Sequence, residues 1–140
     1  MKAEPEVPPP PEGYEPVAKG PFLTWNGPIF QRPTAPPDIE LATFILPRHT
    51  NGAHMLHGGM LSAFLDVAMG SAVRLCLPRR TATVHMSIDF MRAGRAGEWL
   101  FGRAKMTHAT KDIAFAEASG WVGGREVGRA TGVFKLRGPS

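Results

Sequence analysis

An aspartate, Asp66, stands in the middle of the longest helical pattern of this 140-residue chain, and His57-Gly58-Gly59 stands at its start. Aspartate is a poor helix former, so an interior position asks for a reason beyond propensity. The face it shares with Gly59, Ser62, Ala63 and Gly70 is otherwise made of small side chains, over which another backbone or a ligand can approach closely. That face reads as a packed contact surface with a placed carboxylate. At the helix start the first N–H groups have no partner within the helix and lie at the positive end of its dipole. Glycine leaves those amides open. His57-Gly58-Gly59 is therefore either an oxyanion site, where one well-aimed donor is worth about 3 kcal/mol of barrier, or a glycine-rich loop that only permits a tight turn.

The elements that must position these residues follow from periodicity. From His57 to about Cys76, Met60, Leu61, Phe64, Leu65, Ala68, Ala72 and Leu75 recur at steps of three and four, the apolar stripe of a helix. Pro78 closes it. Before it, Ile39 to Leu46 is rich in apolar and β-favouring residues and predicts a first strand, ended by Pro47. After it, Val84, Met86, Ile88 and Phe90 alternate with Thr83, His85, Ser87 and Asp89, the period of a half-buried strand over Thr83 to Met91. Further strands are expected at Glu98 to Thr110, Ile113 to Val122 and Glu126 to Leu136, separated by short Gly- and Asp-containing turns. Consecutive strands with short connections predict an antiparallel meander. A lone apolar-striped helix must bury its stripe, and the sheet is its available partner. The fold class is α+β: a curved antiparallel sheet wrapped around one long central helix.

Residues 1–20 differ from the rest. Pro5, Pro8 to Pro11 and Pro16 alternate with Glu4, Glu6, Glu12 and Glu15, so donors are removed and like charges repel. This segment reads as an extended arm, disordered or laid along a surface, with one folded domain over 21–140. Its length needs no metal or disulfide staple. Cys76 is the single cysteine and sits between Leu75 and Leu77, so it reads as a small buried hydrophobe, and a reducing compartment is expected. Neither a secretory signal nor a run of about 18 apolar residues is apparent, and the cytoplasm is the expected location. Residues 1–50 carry four Lys/Arg against six Asp/Glu; the remainder carries twelve against six, a basic surplus suited to an anionic ligand.

The run from Asn51 through His57-Gly58-Gly59 to Asp66 closely resembles the signature of hotdog-fold acyl-CoA thioesterases of the phenylacetyl-CoA type, within the 4-hydroxybenzoyl-CoA thioesterase superfamily. In that pattern an Asn and a short loop precede His-Gly-Gly, and an acid follows one helical stretch later. The resemblance covers roughly residues 21 to 137, and the strand order read above is also that of the hotdog fold. It implies that Asp66 acts as general base toward water or as nucleophile toward the thioester carbon. It implies that the Gly58 N–H polarises the thioester carbonyl, that Asn51 orients the water or the carboxylate, and that His57 holds the loop and can touch the thioester. Thr83 falls where the family often carries a hydroxyl that places the water. The family builds the site across a homodimer, with Asp66 facing the His57-Gly58 turn of a second subunit, and dimers often pair into tetramers. Glycine commonly stands three residues after the Asn; here that residue is His54, which puts the loop conformation in question.

An acyl-CoA substrate brings phosphates, so cations are expected at the groove mouth, with Arg79, Arg80, Arg92, Arg95 and Lys111 as candidates and Gly59 beside the thioester. No cofactor is implied beyond coenzyme A as part of the substrate. His49, His54 and His57 cluster in sequence but lack HEXXH or cysteine-pair spacing, so no metal is expected. The main alternative is a hotdog protein that binds acyl-CoA without hydrolysing it; Asp66 argues against it. A hydratase of the same fold would need its acid before its His, the reverse of the order here. A nucleic-acid module would need exposed aromatics among the basic strands, and none is apparent.

Overall fold

The computed structural model describes residues 4–17 and 20–139. In chain order it contains β1 (Glu15–Val17), α1 (Gly20–Asn26), β2 (Ile29–Pro33), β3 (Asp38–Phe44), a short 3-10 turn (Pro47–His49), α2 (Gly58–Cys76), β4 (Arg79–Phe90), β5 (Trp99–Ala109), β6 (Ile113–Val122) and β7 (Arg125–Pro139). The seven strands among the described residues form one antiparallel sheet in the order β1-β2-β3-β5-β6-β7-β4.

The apolar stripe of α2 does what its period demands. Phe64, Leu65, Ala68, Met69, Ala72 and Val73 are fully buried, against Leu41, Leu100, Ala114 and Phe134 of the sheet. Each large side chain so removed from water contributes roughly 1.5–3 kcal/mol. Close approach depends on small residues under the helix. A Cβ on Gly102 of β5 would lie only 2.6 Å from the Phe64 ring. Three apolar residues separate here: Met60 and Phe64 point into the core as read, whereas Phe90 is 60% exposed.

The sheet differs from the predicted one in three ways. First, β1, β2 and α1 precede the strand expected to be first. Ile29–Pro33 is short and bracketed by prolines, and its strand character comes from pairing with β3, including Phe30 opposite Ala42. Part of the Pro/Glu-rich arm is laid on the sheet edge: Glu15–Val17 pairs with β2, and Glu4 bonds Arg48 at 3.0 Å. Second, β4 does not open a meander. Met91 to Glu98 carries the chain past the helix start, where the Leu56 N–H donates to the Gly94 carbonyl at 2.8 Å, and of the strands after α2 only β5, β6 and β7 form consecutive hairpins. β4 pairs with β7 instead and, among the described residues, leaves its other edge open. Third, β4 does not alternate cleanly. Its register shifts between Thr83 and His85, and Val84 is 58% exposed while Met86 and Ile88 stay half-buried.

By length and composition α2 is apolar enough to cross a membrane, with mean hydropathy 1.3 over an 18-residue stretch, contrary to the sequence reading. It lies against the sheet as the core helix, and more than half of it is buried there.

Candidate active site

The loop before α2 is built on His49. This ring is buried, its Nδ1 accepts from the Leu46 N–H at 3.0 Å, and its Nε2 meets the Asn26 carbonyl at 2.7 Å. That carbonyl can only accept, so Nε2 carries the proton and the ring is neutral. Burial lowers the His49 pKa, and the Arg48 charge adds to the lowering against the opposing hydrogen bond to the Asn26 carbonyl. The His49 carbonyl in turn accepts from the His57 N–H at 2.9 Å, which fixes the point where the helix begins.

Asn51 closes the intervening turn: its Oδ1 accepts from the N–H groups of Ala53 at 2.9 Å and Met55 at 3.2 Å. Its oxygen therefore serves its own loop. His54 takes φ +60°, the left-handed conformation that favours glycine, which accounts for the glycine expected at this position.

His57 is the N-cap of α2, and its Nδ1 accepts from the Gly59 N–H at 2.7 Å. That bond occupies the Gly59 amide, so Gly59 does not offer its donor to a ligand as expected. Among the described residues no acceptor occupies the Gly58 N–H, which leaves it as the free donor of the helix start. Glycine at 58 also makes room for Phe90, whose ring would lie 3.2 Å from an added Cβ.

Asp66 lies two turns further along α2, half-buried, and its Oδ1 accepts from the Thr83 hydroxyl at 2.6 Å. This is a short, charge-assisted hydrogen bond of the stronger kind. It brings together two of the candidate residues from different elements, helix and edge strand. Both line an open groove of about 500 Å³ between α2 and the start of β4.

The cations distribute unevenly. Of the five named from sequence, only Arg80 lines this groove. Arg79 is tied to the carbonyls of Arg137 at 2.7 Å and Lys111 at 2.8 Å, where it joins strand ends. Lys111 lies beside it in that turn. Arg92 bonds the Glu126 carbonyl at 3.1 Å, and Arg95 sits in the loop that bridges to Met55, both near the helix start. Sequence reasoning missed Arg74, which lines the groove with Arg80. It stands four residues past Gly70 on the same small-residue face, so extending that face by one turn finds it. Its Nη1 donates to the Thr81 hydroxyl at 3.1 Å and its Nη2 to the Ser71 hydroxyl at 3.4 Å. Burial lowers the Arg74 pKa, and the negative charge of Asp66 pulls it back up.

A larger open depression, about 610 Å³, lies elsewhere on the sheet, among Arg103, Lys105, Glu117, Glu126 and Arg129. It contains neither Asp66 nor Thr83, and its charges already pair as Lys105–Glu117 and Arg129–Glu126. Its character is that of a solvated sheet face.

A curved antiparallel sheet around one long helix, with a carboxylate on the helix and an unoccupied amide at its start, defines a hotdog-fold thioester hydrolase. The chain belongs to the thioesterase superfamily, whose family model matches residues 53–129, taking in His57, Gly58, Asp66 and Thr83. It is 35% identical over 129 residues to the candidate esterase PA0474 of Pseudomonas aeruginosa, covering 90% of this chain and 96% of that one. The fold matches the Escherichia coli PaaI protein from the phenylacetic acid degradation operon at TM-score 0.75, with 21% identity over 80% of this chain and 81% of that one. It also matches a thioesterase described as hypothetical from Streptococcus pneumoniae, in a structure with coenzyme A, at TM-score 0.74, with 20% identity over 79% and 87% of the two chains.

Proposed function

We propose that this protein hydrolyses acyl-CoA thioesters, aryl or medium-chain, to the free acid and coenzyme A. The observation that carries the reading is the ionisable Asp66 carboxylate, held by the Thr83 hydroxyl at 2.6 Å and facing an open groove. With one oxygen fixed by Thr83, the other is left to take a proton from water. The water oxygen attacks the thioester carbon, and the carbonyl oxygen becomes an oxyanion held by the Gly58 N–H. Collapse breaks the carbon–sulfur bond, and the proton on Asp66 passes to the departing CoA thiolate. Alternatively the carboxylate attacks directly and water hydrolyses the resulting anhydride. A solved Streptococcus mutans relative of the fold bound to acetyl-CoA supports a CoA ester as substrate.

The site is complete only in a homodimer. Residues 58 and 66 are eight apart on one helix, a rise of roughly 12 Å, too far for one thioester to touch both. The Gly58 amide that serves Asp66 therefore comes from a second copy. Two features support the pairing: the open edge of β4 with exposed Val84 and Phe90, and the half-buried Ser62, Ala63, Asp66 and Val67 along α2. A tetramer made from two such dimers is compatible with this arrangement.

The test is release of free thiol from a panel of aromatic and medium-chain acyl-CoAs. The expected result is turnover that falls at least about a hundredfold in Asp66→Asn, with a dimer or larger in light scattering. Undiminished turnover in that variant overturns the mechanism. Binding without turnover on every ester favours the non-catalytic acyl-CoA-binding protein.

A further inference from the structure

The groove beside Asp66 holds two arginines, and among the described residues neither Arg74 nor Arg80 makes an ion pair with a carboxylate. Arg74 is half-buried and packed by design of the sequence: its Nη1 lies 3.1 Å from where a Cβ on Gly70 would be, so glycine at that position lets the guanidinium lie back along the helix. Long helical side chains run toward the helix start, which places this cation about one turn, roughly 5 Å of helix rise, from the level of Asp66. A guanidinium has five N–H donors, and the two hydroxyl bonds of Arg74 leave the others toward the groove. The remaining walls include the apolar Val17, Leu23 and Val67, which suit methylene groups.

Resting on the hydrolytic reading above, we propose that Arg74, with Arg80 beside it, is a specificity-determining anion site, and that the acyl group of the substrate ends in a carboxylate. The phosphates of coenzyme A do not fit this position, because the whole pantetheine arm separates them from the thioester that Asp66 faces. An anion one helical turn from the reacting carbon lies on the acyl side. A chain of a few methylenes spans that distance, along the apolar wall, to a planar carboxylate that the Arg74 fork takes in two parallel bonds.

The experiment compares matched pairs of ligands. Calorimetric titration with the thioethers S-carboxybutyl-CoA and S-pentyl-CoA reads binding without turnover, and kcat/KM for glutaryl-CoA and pentanoyl-CoA reads the reaction. The wild type is expected to favour the carboxylated member of each pair by about tenfold or more. In Arg74→Met the ratio falls toward one, through affinity and KM; Arg74→Lys, which keeps charge but not the fork, retains part of it. Equal binding of the two thioethers by the wild type overturns the proposal, as does an Arg74→Met variant that keeps the full ratio. Selective binding with no turnover leaves the anion site standing and removes the hydrolytic reading; turnover without selectivity does the reverse. Should Arg74→Met fail to fold, the wild-type ratio and the exposed Arg80→Gln variant, expected to lower it, decide the matter.

Discussion

Gly70 occupies an interior position of α2, where glycine is the worst helix former after proline, and replacing it with alanine separates two effects of opposite sign. Removing the excess backbone freedom of an interior helical glycine gains about 1 kcal/mol. Against this stands the space a methyl group would find. The nearest atom is Arg74 Nη1 at 3.1 Å, the end of a flexible side chain, and the next neighbour is the Phe134 ring at 3.7 Å, an ordinary contact. The guanidinium must therefore move by a few tenths of an ångström, which weakens its 3.1 Å bond to Thr81. Half of a net hydrogen-bond contribution is about 0.5 kcal/mol. The balance is a stabilisation of about 0.5 kcal/mol for Gly70→Ala. Urea unfolding at one fixed protein concentration measures it as a raised midpoint at unchanged m-value. The same variant is expected to lose affinity for a carboxylated acyl thioether, since the displaced group is the proposed anion binder. Destabilisation of 1 kcal/mol or more would refute the reasoning, because it would mean that Arg74 cannot give way.

Gly102→Ala is the contrasting case: the new methyl would meet the fully buried Phe64 ring at 2.6 Å with no helix propensity to gain, so unfolding experiments should show a loss of about 1–3 kcal/mol. His49 is held neutral with its pKa lowered, so the unfolded chain binds a proton that the folded chain refuses; the contribution is complete above the ordinary value of 6.5 and is lost as pH falls below it. Stability measured from pH 8 to pH 5 should therefore fall on the acid side less steeply in His49→Gln than in the wild type, from a lower starting value. Thr83→Val removes the hydroxyl that fixes Asp66 and keeps its shape; steady-state kinetics should show kcat reduced about tenfold with little change in KM, and an unchanged kcat would separate Thr83 from the chemistry.

The central helix was legible because its signal is local. Met60, Leu61, Phe64, Leu65, Ala68 and Ala72 mark one face at the helical period, and all are buried in the structure. β6 was read at its observed bounds, Ile113–Val122, since the turn-forming residues Thr110-Lys111-Asp112 and Gly123-Gly124-Arg125 bracket it. β2 was missed because five residues ending in proline carry little intrinsic strand signal and become a strand only by pairing with Leu41 and its neighbours. On β4, Met86 and Ile88 pack toward the core as read, but Val84 and Phe90 were misassigned because a register shift at Thr83/His85 and an open edge break the assumption that alternate residues share one buried face. At the site, residue types near one another in sequence were found, whereas Arg74 was overlooked because its meaning depends on the gap over Gly70 and on the neighbouring β4.

Sequence by itself determined the periods: one helix that must be buried, strands that must cover it, an acid placed on the small-residue face, and glycines at the helix start. These are properties of adjacent residues and of the fixed geometry of 3.6 and 2 residues per repeat. Tertiary structure alone decided which strands pair, and so put β4 beside β7 and not beside β5. It alone brought Thr83 to 2.6 Å from Asp66, turned the Gly59 amide onto His57, and laid Arg74 beside the groove. Each of these is a contact between groups whose distance is set by packing across the sheet and around the cap, which no local repeat encodes.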